Sequence, residues 1–340
     1  MAHQEYRVGI DIGGTNTVAG IVTGRGECVA KSSFLTQSCT SVEDFAVKLA
    51  GAITGLADEW IPGKTIGGIG VASPAARQRE GTIQGPANLR WNSINIVSLL
   101  KAYFDVPIVV TNDSNAAALG EMKYGAARGM RNFVVITIGT GLGAGIVIDG
   151  RLLHGENGVA GELGHMTIEP GGRICGCRRR GCVETYVSAT GIRRTVAELM
   201  ARSTEESELR LTPYAGLSAD KIYEAARRGD PIAREAFEVT GQILGRVLSN
   251  TAAVFDPEAI ILSGGLMNAG DLIMEPTIRS FDDHVLSLNN KKPLIVRSHL
   301  NDGEAAILGA SSLVGEAVAP EGQGVPSGVR VGSGTAYLEK

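Results

Sequence analysis

Tyr6-Arg7-Val8-Gly9-Ile10-Asp11-Ile12-Gly13-Gly14-Thr15-Asn16-Thr17-Val18-Ala19-Gly20-Ile21-Val22 reads as a strand over 6–12, a glycine turn, and a strand returning over 18–22. The same design recurs further on. Asn132-Phe133-Val134-Val135-Ile136-Thr137-Ile138 turns through Gly139-Thr140-Gly141-Leu142-Gly143 and returns as Ala144-Gly145-Ile146-Val147-Ile148. It ends at Asp149-Gly150, a strong two-residue turn signal. Ala-Gly-Ile-Val stands at 19–22 and again at 144–147, so the two halves read as diverged copies. Four shared residues alone could coincide; the repeated strand, glycine turn and strand carry the reading.

Amphipathic helical stretches lie between these strands, at 42–60, 93–104, 115–127, 189–202, 219–228 and 231–255. Strand, hairpin and helix alternating twice predict an α/β protein of two lobes facing a cleft. The chain is expected to cross between the lobes near 112–116 and again near 300. That divides it into a small lobe of 1–114 with about 300–316 and a large lobe of 115–299. Residues 317–340, rich in Gly, Pro, Ser and Val, read as a flexible tail.

The bulk numbers agree with two cores. The chain has 340 residues, 44% hydrophobic and 20% charged, as in ordinary soluble proteins. A net charge of −4 argues against nucleic acid as the main partner. No apolar run approaches the ~20 residues of a membrane span. Met1-Ala2-His3-Gln4-Glu5 lacks the regions of a signal peptide, so a cytoplasmic location is expected. Five cysteines, an odd count, fit a reduced compartment better than a disulfide framework. Many of the 46 glycines follow strand-like runs, where close approach of backbone to a ligand is the usual functional reason.

The glycine turns carry the first chemistry. Gly13-Gly14-Thr15-Asn16-Thr17 and Thr137-Ile138-Gly139-Thr140-Gly141 each offer backbone N–H groups and hydroxyls that phosphate oxygens can reach with no Cβ in the way. One such loop alone is an ordinary hairpin turn; two in duplicated positions point to a nucleotide. Gly139 to Ala144 matches G-x-G-x-x-A literally, but a strand follows where the dinucleotide motif needs a helix. G-x-x-x-x-G-K-[ST] is absent, which excludes a Walker-type binder. A third glycine element, Gly264-Gly265, closes the apolar strand Ile260-Ile261-Leu262-Ser263. At Thr111-Asn112-Asp113-Ser114-Asn115 an apolar strand ends and an Ala-rich helix starts. One of these residues can cap the helix, yet four consecutive polar residues exceed what one cap uses.

Gly161-Glu162-Leu163-Gly164-His165 is followed by Cys175-Gly176-Cys177 and by Gly181-Cys182-Val183-Glu184. One His and three Cys within eighteen residues suffice for a closed tetrahedral zinc site. Cys175 and Cys177 are too close for an easy internal disulfide. The alternative is free cysteines on a surface loop, with Arg178-Arg179-Arg180 as a solvated basic face. A Cys₃His set has no open position, so the Zn²⁺ would be structural.

The Gly161–Glu184 pattern resembles the signature of the ROK family (repressors, open reading frames, sugar kinases), and closely its glucokinase branch. With the glycine loops, the resemblance runs from about residue 6 to 315. It implies the actin-like, ribonuclease H-like fold of two duplicated α/β lobes. It also implies an ATP-dependent hexose kinase, foremost a glucokinase acting on the 6-hydroxyl of glucose. By resemblance Asp113 is the general base, while Asn88, Asn112, Glu162, His165 and Glu184 hold the sugar. Mg²⁺-ATP would lie across Gly13, Gly14, Thr15 and Asn16 on one side and Thr137, Gly139, Thr140 and Gly141 on the other. Asp11 would act on Mg²⁺ through water, and Gly264 and Gly265 would lie beside adenosine. His165, Cys175, Cys177 and Cys182 would bind zinc. With one imidazole nitrogen on the metal, the other carries the proton and can donate to a sugar hydroxyl. Trp91 matches a glucokinase-like form of its motif or is a core aromatic. One departure concerns Ser73-Pro74-Ala75-Ala76, where many relatives carry Pro-Gly at the sugar; the choice of sugar rests partly on this wall.

N-acetylmannosamine, N-acetylglucosamine, mannose and allose are the alternative substrates. Repressors of the family carry a helix-turn-helix domain before the first glycine loop, which here begins at Gly13, so that role is disfavoured. The zinc and sugar residues count against an actin-like filament. ATP is the expected donor over polyphosphate, and a homodimer is expected because relatives are commonly dimers.

Overall fold

The computed structural model describes residues 6–85, 91, 93–286, 291–300 and 303–317. The first half runs β1 (Tyr6–Ile12), β2 (Asn16–Thr23), β3 (Cys28–Leu35), α1 (Val42–Trp60), β4 (Ile66–Ala72), the short strands β5 (Ala76–Arg77), β6 (Thr82–Gln84) and β7 (Ser93–Ile94), α2 (Ile96–Lys101) and β8 (Ile108–Thr111). The second runs α3 (Asp113–Tyr124), β9 (Phe133–Ile138), β10 (Leu142–Ile148), β11 (Arg151–Leu152), α4 (Ala189–Arg202), α5 (Ala219–Arg227), α6 (Pro231–Phe255), β12 (Ala259–Ser263), α7 (Asp271–His284), β13 (Leu294–Arg297) and α8 (Ala305–Ala317).

Two five-stranded sheets result, ordered β3-β2-β1-β4-β8 and β11-β10-β9-β12-β13. In each, the first strand pairs antiparallel with its hairpin partner and parallel with a later strand. The duplication read from the two hairpins therefore extends to whole sheets. Asp149 and Gly150 both have positive φ, 52° and 76°, as a two-residue type I′ turn between β10 and β11 demands.

Each sheet has its own core. Behind the first, Ser41 caps α1 by accepting from Asp44 N. Phe45, Leu49, Ile53 and Leu56 then form a buried stripe at helical spacing. Trp91 packs on this core with its ring 4.9 Å from that of Phe45, so it is a core aromatic. The second sheet is covered by α4, α5, α6 and α7.

Between the sheets run α3, packed on β9 and β10, and α8, packed on β1 and β4. This packing is too close for side chains. A Cβ on Gly9 would lie 1.9 Å from the Ile307 carbonyl oxygen, and one on Gly70 1.7 Å from that of Ala310. A Cβ on Gly309 would lie 1.6 Å from the carbonyl oxygen of Ala116. Gly9 and Gly70, inside β1 and β4, thus admit helix on sheet, and Gly309, inside α8, admits α8 against α3.

The helix boundaries differ at two places. Segment 93–104 begins as β7, and its helix spans only Ile96–Lys101 behind an Asn95 cap. α3 starts two residues earlier than the apolar pattern indicates, because Asn112 accepts from Ser114 N and caps it. Asn88 and residues 318–340 lie outside the described residues. Among those described, no helix is long and apolar enough to cross a membrane.

Candidate functional site

The parallel strands of both sheets end at one cleft, as open α/β sheets arrange their sites. Its volume is about 840 Å³. The lining takes Gly14 after β1, Pro74–Arg77 after β4, and Asn112–Asn115 after β8. Gly139–Gly141 follow β9, and Gly264 follows β12. Glu162, His165 and Glu184 line the far wall. Thr15 and Asn16 run on into the start of β2, and Gly265 opens a short 3₁₀ helix; these three, like Asp11 and Gly13, do not line the cleft.

Asp113 opens α3. Its Oδ1 accepts from Ser114 N at 2.8 Å, and Ser114 Oγ lies 3.0 Å from Thr137 Oγ1, which ties the carboxylate to β9. Burial holds the Asp113 carboxyl above its ordinary range, against the opposing hydrogen bonds from Ser114. Asp11, near the end of β1, is raised from 3.8 to about 6 by burial and then by the Asp113 charge. Two desolvated carboxylates near one another, Asp113 lining the cleft and Asp11 behind it, attract a cation and make a strong proton acceptor.

The ionised form of Asp11 is the one the fold disfavours. The stabilising contribution of the protonated carboxyl is complete below the unfolded value near 4 and is lost as pH rises through the folded value of about 6. Asp11→Asn is therefore expected to raise stability at pH 7 by about 3 kcal/mol, less as pH falls toward 4. Urea midpoints for both proteins at pH 5 and pH 7 check this; equal gaps at the two values refute it.

The turn from β4 to β5 forms a further wall. Ser73 anchors it, donating through Oγ to Ile12 O at 3.1 Å and through N to Thr111 O at 3.0 Å. At its apex Ala75 takes φ +58°, the left-handed region that costs a residue with a Cβ roughly 1 kcal/mol. Ala75→Gly should raise the free energy of unfolding by about 1 kcal/mol, seen as a higher urea midpoint. A lowered midpoint would mean the turn is not strained. Across the mouth, Arg77 Nη1 donates to Asn157 O at 3.1 Å and Arg79 Nη1 to Glu156 O at 3.0 Å, joining the lobes.

The metal-ligand residues fold into one cluster. His165, Cys175, Cys177 and Cys182 bring their ligand atoms within 4.8 Å of one another. Cys175 Sγ lies 3.6 Å from His165 Nδ1, and Cys177 Sγ 3.6 Å from Cys182 Sγ. A tetrahedron with bonds of about 2.1–2.3 Å has edges of roughly 3.5–3.8 Å, so the set fits zinc. The backbone N–H of Arg179 helps hold the Cys177 thiol down at about 6, suited to a thiolate ligand. His165 turns Nε2 to the other side, 3.9 Å from Glu162 Oε2. Arg173 pins the segment from behind, donating to Thr185 O at 2.7 Å and pairing with Glu198 at 2.7 Å.

Glu184 has more to do than the sequence assigned it. Its Oε2 accepts from Leu142 N at 3.1 Å, and Oε1 is 3.8 Å from Cys175 Sγ. The carboxylate therefore joins the metal cluster to the second glycine loop. Sequence reasoning missed Thr190, Arg77 and the Gly158–Ala160 segment, all of which line the cleft. The only available sign for Thr190 was its place just after Ser188, the cap of α4.

A family model described as the ROK family matches residues 7–317. A glucokinase of Streptomyces coelicolor is 35% identical over 318 residues, 91% of this chain and 97% of the relative. The crystal structure of a ROK family glucokinase from Streptomyces griseus, in complex with glucose and AMPPNP, aligns with a TM-score of 0.77 at 31% identity. It covers 92% of this chain and 99% of its own. A xylose repressor of Bacillus subtilis is 29% identical over 311 residues, 91% of this chain and 77% of the repressor.

Proposed function

The chain belongs to the ROK family, and on that premise we propose that it is a sugar kinase transferring the γ-phosphoryl group of ATP to the 6-hydroxyl of glucose. The observation that carries this is Asp113. It is a desolvated carboxylate at a helix start, in a cleft lined by Gly14 of the first glycine loop, by the second glycine loop and by Glu162, His165 and Glu184. Asp113 takes the 6-hydroxyl proton as that oxygen bonds to the γ-phosphorus. The bond to the β–γ bridging oxygen breaks, and ADP leaves. Glu162, Glu184 and Asn112, with Asn88, accept or donate to the remaining hydroxyls, and His165 donates through Nε2. The Streptomyces griseus complex with glucose and AMPPNP supports both ligand classes.

The phosphates would lie between Gly14 of the first glycine loop and the Thr137–Gly141 loop, with Gly264 beside adenosine; Gly13, Thr15, Asn16 and Gly265 would support these walls from behind. Asp11, whose ionised form the cleft destabilises, is suited to a Mg²⁺ ion held through water. Zn²⁺ on His165, Cys175, Cys177 and Cys182 has no open coordination position and supplies order rather than Lewis acidity. Closing of the lobes excludes water and limits idle ATP hydrolysis. We further propose lobe boundaries at 1–114 with 300–316 and at 115–299, and a homodimer in solution.

The test is coupled ADP release with Mg²⁺-ATP against glucose, mannose, allose and the two N-acetylhexosamines. Strong turnover with glucose supports the reading, and turnover only with an N-acetyl sugar moves the substrate. The xylose repressor similarity supports a second reading, a sugar-responsive regulator. Sugar binding without ADP release from any substrate would favour it.

A further inference from the structure

The second glycine loop is not a free hairpin tip; it is strapped to the start of α4. Ala189 N donates to Gly139 O at 2.8 Å, and Thr190 Oγ1 to Thr140 O at 2.8 Å. Thr190 Oγ1 also lies 3.0 Å from Ser188 Oγ, which donates to Glu184 O at 2.7 Å. With Leu142 N on Glu184 Oε2, the bonds form a closed circuit from Glu184 through α4 and the loop back to Glu184.

The straps have a stereochemical result. A trans peptide points its C=O and N–H in opposite directions. Pinning the Gly139 and Thr140 carbonyls on α4 turns the N–H groups of Thr140 and Gly141 away from it. Among the described residues neither N–H has an acceptor. Two successive N–H groups without a partner among the described residues, in a loop lining a cleft, are suited to an anion.

We propose that Thr190 is a positioning residue for the nucleotide phosphates. It holds the Thr140–Gly141 peptide with its N–H toward them, and Glu184 ties that loop to the metal cluster. This rests on the kinase reading above. Loss of order in the Cys₃His segment is thereby transmitted to the phosphate loop as well as to the sugar wall.

Thr190→Val keeps the branched shape and deletes only the hydroxyl; Thr190→Ser retains the hydroxyl. Calorimetric binding of Mg²⁺ with a non-hydrolysable ATP analogue would be measured for both variants and wild type, alongside glucose binding and zinc content. We expect Thr190→Val to weaken the analogue about tenfold, with sugar affinity and zinc unchanged and Thr190→Ser near wild type. Analogue binding by Thr190→Val equal to wild type overturns the proposal. So does parallel loss of analogue, sugar and zinc, which would make Thr190 merely structural. If wild type itself binds no analogue, the kinase reading has failed and this inference with it.

Discussion

Asp113→Asn is expected to bind sugar and nucleotide yet turn over at least roughly a hundredfold more slowly than wild type, while melting at a higher temperature at pH 7. The two effects have one cause. The cleft desolvates the carboxylate, which raises its proton affinity and makes its ionised form costly to the fold. Asparagine keeps an oxygen for the Ser114 N–H, which Asp113 receives at 2.8 Å, and removes only the charge and the basicity. The stabilising contribution of a raised carboxyl is present below its unfolded value and lost at higher pH, so the Asn variant gains most near neutrality. Coupled ADP release and thermal melting at pH 5 and pH 7 provide the check. Turnover within threefold of wild type would move the base elsewhere.

Removal of the metal, by chelation or by Cys177→Ser, should lower the melting temperature by on the order of 10 °C and raise KM for sugar together. Cys177 is exposed, so its substitution opens no core cavity and the loss reports on the metal. The segment it closes is made of turns and short bridges rather than a helix or a sheet strand. Two isolated bridges, Thr167 with Cys182 and Ile174 with Arg180, cross it, together with turn hydrogen bonds such as Gly181 N to Arg173 O at 2.8 Å and Val183 N to Met166 O at 2.9 Å. His165 and Glu184 flank that segment, so disorder there misplaces two groups of the far wall at once. A metal-free protein with unchanged KM and melting temperature would show that the cluster serves neither purpose.

Sequence pattern sufficed wherever the signal is local. Residues 42–60, 189–202 and 231–255 were each read as helix and fold as α1, α4 and α6, because cap and apolar period occur within the same segment. Asp149-Gly150 marks its own turn. The Cys-Gly-Cys spacing brings two ligands together with little help from the rest of the chain. α7 and α8 went unread: α7 contains Pro276, and α8 is apolar on nearly every described face because it is packed between the lobes.

By itself, then, the sequence determined the duplicated strand–turn–strand design, the α/β class, the family and the residue types gathered for anion, metal and proton chemistry. The tertiary structure alone decided which glycines serve packing, as Gly9, Gly70 and Gly309 do, and which line the cleft. It also decided that the Asp113 charge raises Asp11, and that Glu184 and Thr190 hold a loop more than forty residues earlier in the chain. The physical reason is range. Periodicity and turn chemistry act over a few residues, whereas desolvation, charge repulsion and close backbone contact depend on distances that exist only once the two lobes have packed.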